Sequence, residues 1–516
     1  MHATELLQSL TLSQKIAQLF MVGFDGLVPN LHIEEMLREH QIGGVILFRR
    51  NVETPSQLAA LNLRLQQINA EQSQVPLLIG TDQEGGMVMR IERGVTPLPS
   101  AMAFKSAGSE AGCEALTKVA NAELKSLGIN INFAPVLDIN NNPQNPVIGV
   151  RAYGETVSEV CQYGLAALRG IQAAGMAATG KHFPGHGDTA VDSHHKMPVV
   201  AYDRARLDTV ELAPFSAAFA AGLDALMTAH VAFPAIEPDS AKPATLSHAT
   251  LTGLLRDELN YQGVVITDCL EMDAIGKSVG TVAGAVLAIK AGADIVLISH
   301  SPAKQAAALA AVLHAVKAGE IPAARIDESV LRILALKQRY RMSDWASLAP
   351  SLLDFEALQL SARVHQAAIT GHALQLDKNK PVFLISAEVR THTEIDEVAL
   401  GKTPEARNSL ALPLRELGYT VSEEWIALQP AAVELGGVLS QAAHAEQIVF
   451  VSYNAKLFKE QQALIAALPQ ERLWLIAGRL PYDLDLAPKA AGRLSCCSNR
   501  PAALHALAKK LATTAV

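Results

Sequence analysis

Clustered lysine and arginine, long apolar runs and paired cysteines are all missing from this chain of 516 residues. The formal net charge is -8, and no basic stripe interrupts the mildly acidic background. Nucleic acid is thereby excluded as the main partner, because phosphate contacts need grouped cations. Nowhere do about 20 apolar residues run together, so no membrane-spanning helix and no membrane partner are expected. The opening stretch MHATELLQSLTLSQKIAQLF has no basic region followed by an apolar one, and no signal peptide is expected from it. Cysteine is scarce: Cys113, Cys161, Cys269, Cys496 and Cys497. Their number is odd, their spacing does not suit a metal, and the adjacent pair Cys496–Cys497 is one that seldom bridges. A reduced, cytoplasmic protein is the natural expectation. Solenoid repeats and low-complexity segments are also lacking. What remains is a globular composition, 49% hydrophobic and 18% charged, in a chain too long for one ordinary core.

Short apolar runs recur with helical segments between them. QLFMVGF, GGVILF, PLLIGTD, INFAPVLD, MAATGKH, DALMTAHV, GVVITD and ADIVLIS are continuous rather than alternating. That pattern suits strands buried on both faces of a parallel sheet. The segments between them carry apolar residues at helical spacing, and several end in glycine before the next strand, as in LKSLGIN and IQAAGMA. Eight such units predict a (β/α)8 barrel of the TIM type over residues 1–345. The pattern then pauses over a linker and helix, 346–372. It restarts with PVFLISA, EQIVFVSY and RLWLIAG, which predict a smaller α/β sandwich domain over 373–516, built on an open parallel sheet.

Polar residues gather at the ends of the expected barrel strands. TDQEGG follows the third, Asn140 and Arg151 lie after the fourth, KHFPGHGDTAVDSHHKMP spans the end of the fifth, His230 ends the sixth and Asp268 the seventh. Barrel active sites form at this C-terminal face. In KHFPGHGDTAVDSHHKMP, His182 and His186 have the spacing of helical zinc ligands, but Pro184 and Gly185 prevent a helix between them. Adjacent His194 and His195 would point apart. Asp192 and His194, two residues apart in an extended loop, fall on one side. The carboxylate can then fix one imidazole nitrogen and leave the other to exchange a proton near neutral pH. The plainer reading is a solvated ion pair. A lone carboxylate at Asp268 could be a nucleophile, a metal ligand or a helix cap. Facing a separate proton donor, it meets the requirement of retaining glycoside hydrolysis.

Taken in order, LFMVGFDG, GTDQEGGMVMR, NFAPVLDI, GVRAYGE, KHFPGHGDTAVDSH, ALMTAH and VITDCLEM resemble glycoside hydrolase family 3, in its bacterial β-N-acetylglucosaminidase branch. The resemblance covers essentially the whole barrel. It implies that Asp268 is the nucleophile, His194 the acid/base and Asp192 the group that tunes it. It further implies that Asp82, Arg90, Arg151, Lys181 and His182 hold the sugar hydroxyls. Met272 could either wall the pocket or pack in the core. No cofactor and no metal are implied. The expected activity is retaining, exo-acting release of terminal GlcNAc from cell-wall muropeptides or chitin oligosaccharides, by a monomer or homodimer. An imidazole in place of a second carboxylate leaves phosphorolysis as a variant, with β-glucosidase activity another within the family. A metal-dependent hydrolase using His182, His186 and Asp82, or a catalytically silent sugar binder, would be different classes.

Two positions depart from the family's usual pattern: Met87 where arginine is common, and Cys269 where a second aspartate is common. Both are expected beside the pocket. Glu84 reads as a structural hydrogen bonder next to the Gly85–Gly86 turn, His186 as a loop brace and His195 as solvent-facing. His230 could either line the pocket or satisfy a buried carbonyl. GRLPYDLDL and VSYNAKLFKEQQALIAAL resemble the family's C-terminal domain, in which no catalytic residue stands out.

Overall fold

The computed structural model describes residues 2–190, 197–239, 241–388 and 407–512. All eight apolar runs of the first part form strands: β1 (Phe20–Val22), β2 (Gly44–Leu47), β3 (Leu78–Thr81), β4 (Ile131–Asn132), β5 (Ala177–Phe183), β6 (Ala225–Thr228), β7 (Val264–Cys269) and β8 (Ile295–Ile298). They pair in parallel, each with its sequence neighbour, and β8 closes on β1 through Phe20 and Val296. The strands are buried because the barrel interior lies on one face and the helices on the other. Helix starts are set locally. Thr54 caps Pro55–Ala70 by accepting from the Gln57 amide, and Thr156 with Glu159 forms a reciprocal capping box on Val157–Ala173. No helix among the described residues is long and apolar enough to cross a membrane.

The second sheet has six strands: β9 (Thr370–Ala373), β10 (Val382–Glu388), β11 (Val421–Ala427), β12 (Gln447–Ser452), β13 (Leu473–Ala477) and β14 (Gly492–Ser495). Their order is β9-β14-β13-β12-β10-β11. The sheet is mixed, which corrects the expectation of a purely parallel one: β9 runs antiparallel to β14. It enters at an edge directly from the helix Phe355–Ala367, so no crossover forces it parallel. Alternation along the strands splits the core in two. Val382, Leu384, Val449 and Ile476 pack under the helices Ala411–Glu416 and Pro501–Ala512. Phe383, Ile385, Phe450 and Leu475 pack with Val438 and Leu464, and that cluster continues into Met87, Val147, Ile148 and Val150 of the barrel loops. The two parts therefore share an apolar core at the C-terminal mouth of the barrel.

A buried cation lies at the other end of the barrel. Lys337, on the helix Ala323–Arg339, donates to Gln18 Oε1 at 2.8 Å and to the Gly43 carbonyl at 3.0 Å. Burial pushes its ammonium down to about 7. Between that value and the ordinary lysine range, the unfolded chain holds a proton the folded chain lacks, so stability rises with pH. The difference in thermal midpoint between wild type and Lys337→Met is expected to move in favour of wild type from pH 7 to pH 9.5. A pH-independent difference would mean that Lys337 stays protonated in the fold.

Candidate active site

A pocket opens at the C-terminal ends of the barrel strands, and its charged lining comes from β5, β7 and the loops that follow β3, β4 and β5. After β3 the chain makes a short hairpin, Gln83–Gly85 against Val88–Met89, that the apolar pattern did not reveal. Gly85 and Gly86 turn it with φ of +111° and +55°. A Cβ would also meet Pro99 O at 2.2 Å from Gly85, and Ser100 Cβ at 2.5 Å from Gly86. Glycine is thus required twice over to set Asp82 and Glu84 beside the mouth.

These two carboxylates anchor a continuous chain of charge. Arg90 lies 3.4 Å from Asp82 Oδ2, and Lys181 Nζ donates to Asp82 Oδ1 at 2.7 Å. The same ammonium is 2.7 Å from Glu84 Oε1. Arg151 grips Glu84 with two parallel hydrogen bonds, Nε to Oε2 and Nη2 to Oε1, each 2.8 Å. Burial pushes the Asp82 carboxyl up, but Lys181 and Arg90 outweigh it and hold it below the ordinary range. Burial likewise acts against the charge on Glu84, and Arg151 with Lys181 overrides it more strongly. Lys181 is pulled down by burial and raised further by Asp82 and Glu84, so it keeps its proton. Every charge in the chain is paired, the condition for keeping ions in a site with little water.

β5 carries Lys181 and His182, and its register against β6 shifts between Gly180 and Phe183. The peptide between Lys181 and His182 is cis. His182 Nδ1 lies 2.7 Å from Asp138 Oδ2. Asp138 also accepts from the backbone amides of His182, at 3.2 Å, and His186, at 2.6 Å. Burial opposes its charge, but His182 and these donors keep its carboxyl low. Sequence reasoning missed Asp138. The available signal was an aspartate closing the apolar run of INFAPVLD, like Asp82 and Asp268 at their own strand ends. His186 is buried, bonds to Thr189 Oγ1 at 3.0 Å and reaches the pocket wall. Burial, with the neighbouring His182 imidazole, pushes it down to about 4, so it is neutral at physiological pH.

Opposite this network stands Asp268, near the end of β7, half-buried with its Oδ1 held by the Cys269 amide at 2.7 Å. Asp82, Arg90, Arg151, Lys181, His182, Asp268 and Met272 all line one pocket. Asp192, His194 and His195 lie outside the described residues. His182, His186 and Asp82 do not come together as a metal-ligand set among the described residues: Asp138 holds His182 Nδ1, Thr189 Oγ1 bonds His186 Nδ1, and Lys181 with Arg90 holds Asp82. His230 is resolved in favour of the buried reading: Nδ1 pairs with Thr245 Oγ1 at 2.7 Å and Nε2 with the Cys269 carbonyl at 2.9 Å. Cys269 lines the pocket, as expected beside it. Met87 does not. It packs in the core shared with the second sheet, because the hairpin turns its side chain outward. Glu84 is more than a brace, since it joins two cations.

The second sheet supports the loop that bears Arg151. Tyr482 Oη contacts Glu155 and accepts from Asn140 Nδ2 at 3.0 Å, while Asn140 Oδ1 receives the Gly149 amide at 3.1 Å. Arg500 bonds the Met87 carbonyl at 2.8 Å and Glu92 at 2.8 Å. None of the described residues of the second sheet lines the pocket. Tyr482→Phe is therefore expected to lower kcat/KM roughly 3–10-fold, through a less well-held Arg151. Circular dichroism and thermal midpoint should stay near wild type. Unchanged kinetics would show that the contact only joins the two parts.

A parallel barrel whose mouth gathers a carboxylate and a fixed set of charged hydrogen-bonding groups is equipped to act on a polar, hydroxyl-rich substrate. Residues 11–336 match the family model for the glycosyl hydrolase family 3 N terminal domain. Beta-hexosaminidase A of Pseudoalteromonas piscicida is 36% identical over 411 residues, which cover 72% of this chain and 68% of that one. The beta-hexosaminidase of Vibrio cholerae serotype O1 is 40% identical over 270 residues, 52% of this chain and 78% of that one. The solved family 3 beta-N-acetylglucosaminidase from Paenibacillus sp. str. FPU-7 matches with a TM-score of 0.92 and 48% identity, covering 98% of this chain and 97% of that one. The chain belongs to glycosyl hydrolase family 3.

Proposed function

We propose that the protein is a retaining, exo-acting β-N-acetylglucosaminidase that releases terminal GlcNAc from muropeptides or chitin oligosaccharides. One observation carries the reading: Asp268 shares a single pocket with the Arg90–Asp82–Lys181–Glu84–Arg151 chain of charge. A ring of hydroxyl groups is read by fixed donors and acceptors of this kind, and their pairing keeps them in place before the sugar arrives. The names of the relatives above support the choice of N-acetylhexosamine. Asp268 attacks the anomeric carbon while protonated His194 gives its proton to the leaving oxygen, and a glycosyl-aspartate ester forms. His194 then takes a proton from water, which opens the ester with a second inversion. Asp192 fixes the tautomer of His194 and balances its charge. The roles of His194 and Asp192 rest on their sequence motif. A reducing, cytoplasmic setting belongs to the same proposal, supported by the burial of Cys113, Cys269, Cys496 and Cys497 as thiols.

The test is a panel of aryl-GlcNAc, aryl-glucoside, chitobiose and a muropeptide, followed by NMR of the first anomer released, with and without phosphate. β-GlcNAc as first product, a clear preference over the glucoside and indifference to phosphate are expected. An α-anomer, GlcNAc-1-phosphate or equal use of the glucoside would each overturn part of the reading.

A further inference from the structure

We propose that Cys269, Glu271 and His300 form a site for a zinc-class divalent cation at the rim of the pocket, and that an ion bound there reversibly slows turnover. One ligand atom from each of the three lies within 4.8 Å of the others, the only set of this kind among the described residues. They come from neighbouring strand ends. Cys269 closes β7, Glu271 follows it, and His300 lies two residues past β8, which pairs Leu297 with Cys269. Thiolate, imidazole and carboxylate together suit zinc, whereas magnesium and calcium favour all-oxygen shells.

Much of the geometry already exists. Glu271 Oε2 accepts from the His300 amide at 2.6 Å and Oε1 from the Ser301 amide at 3.1 Å, which ties the carboxylate to the loop bearing the imidazole. The Cys269 backbone is fixed on both sides, its amide by Asp268 and its carbonyl by His230. Ligands around tetrahedral zinc stand roughly 3.3–3.8 Å apart, given metal–ligand bonds of about 2.0–2.3 Å. A shift of about 1 Å closes the set, within the reach of the exposed His300 ring. Lys304 Nζ, 3.5 Å from Glu271 Oε1, is the cation that zinc would displace.

The location gives the ion an effect. Cys269, Phe48 and Ser299 line the pocket, and the His300 ring stands 5.6 Å from that of Phe48. Cys269 is also the residue whose amide holds the Asp268 carboxylate. A dication there draws on the negative charge of Asp268 and narrows the rim, so it opposes nucleophilic attack rather than assisting it. The binding site stands independently of the hydrolase reading; the slowing of turnover rests on it.

The full chain, stripped with chelator, is titrated with zinc and, for spectroscopy, with cobalt. Wild type, Cys269→Ser, His300→Ala and His194→Ala are compared. One equivalent of zinc should bind to wild type and to His194→Ala, with affinity at least about tenfold weaker in the other two. The cobalt–thiolate charge-transfer band should vanish in Cys269→Ser. In aryl-GlcNAc turnover, saturating zinc should slow wild type about tenfold through the charge it places beside Asp268, with recovery in chelator. His300→Ala should keep wild-type basal activity and its rate in zinc. No stoichiometric binding, a cobalt band that survives Cys269→Ser, or binding lost in His194→Ala instead would overturn the site. Binding at this site without slowing would overturn its effect on turnover. If wild type hydrolyses nothing, the function proposed above fails while the binding measurements still decide the site.

Discussion

Asp268→Asn is expected to lower kcat at least about 10⁴-fold, corresponding to roughly 5.4 kcal/mol of activation free energy. The amide has nearly the same shape as the carboxylate. Its carbonyl oxygen can keep the hydrogen bond from the Cys269 amide at 2.7 Å, and the half-buried site does not require a charge for packing. Fold, thermal midpoint and affinity for GlcNAc should therefore stay close to wild type. What disappears is the electron pair that, in the proposed mechanism, attacks the anomeric carbon. Asp268→Gly supplies a sharper reading. It opens a cavity beside the sugar, so added azide can take the place of the carboxylate and yield the α-glycosyl azide, one inversion instead of two. If Asp268→Asn kept more than a tenth of wild-type kcat, or azide produced nothing in Asp268→Gly with an activated substrate, Asp268 would not be the nucleophile.

Lys181→Met should have the second largest effect, on activity and stability together. Its ammonium is the link between Asp82 and Glu84, at 2.7 Å from each. Without it, two buried carboxylates face each other with only Arg90 and Arg151 to balance them. Breaking a buried pair of this kind costs about 3–5 kcal/mol, because the partner charge stays behind. kcat/KM should fall about 10³-fold as the groups proposed to hold the sugar lose their positions. The pH dependence carries a definite sign. The folded-state values of Asp82 and Glu84 lie below those of the unfolded chain. Their contribution to stability is therefore fully present above the ordinary carboxylate range and disappears as pH falls through the folded-state values. Removing Lys181 raises those values, so the variant should unfold at a distinctly higher pH on acid titration than wild type. The double variant Lys181→Met/Glu84→Gln should recover part of the lost stability and none of the activity. Additive losses in the double variant, or an unchanged acid midpoint, would show that the pairing contributes little.

The eight barrel strands were legible because a parallel strand buried on both faces must be apolar throughout. The same logic explains what was passed over. β11, VSEEWIA, lies at a sheet edge with only part of its length buried, and β9, TGHA, is largely exposed. Neither needs the apolar run by which a strand is recognised. The hairpin after β3 is too short for any period to emerge. In the pocket, strand-end position identified Asp82, Lys181, His182 and Asp268 as neighbours. It did not reveal that Asp138 holds His182 and His186, nor that His230 turns away to pair with Thr245 and the Cys269 carbonyl. Those outcomes depend on where a neighbouring strand places its carbonyl or carboxylate. The outward turn of Met87 likewise depends on the second part of the chain: Arg500, 413 residues further along and just past the last strand of the second sheet, bonds its carbonyl.

By itself the sequence determined the architecture and the chemical inventory. Apolar period fixes which segments are buried, and residue type fixes what each strand end can donate, accept or attack with. Only the tertiary structure decided which charges pair. A buried carboxylate is shifted by whichever cation stands within about 4 Å, and that distance is set by strands far apart in the chain.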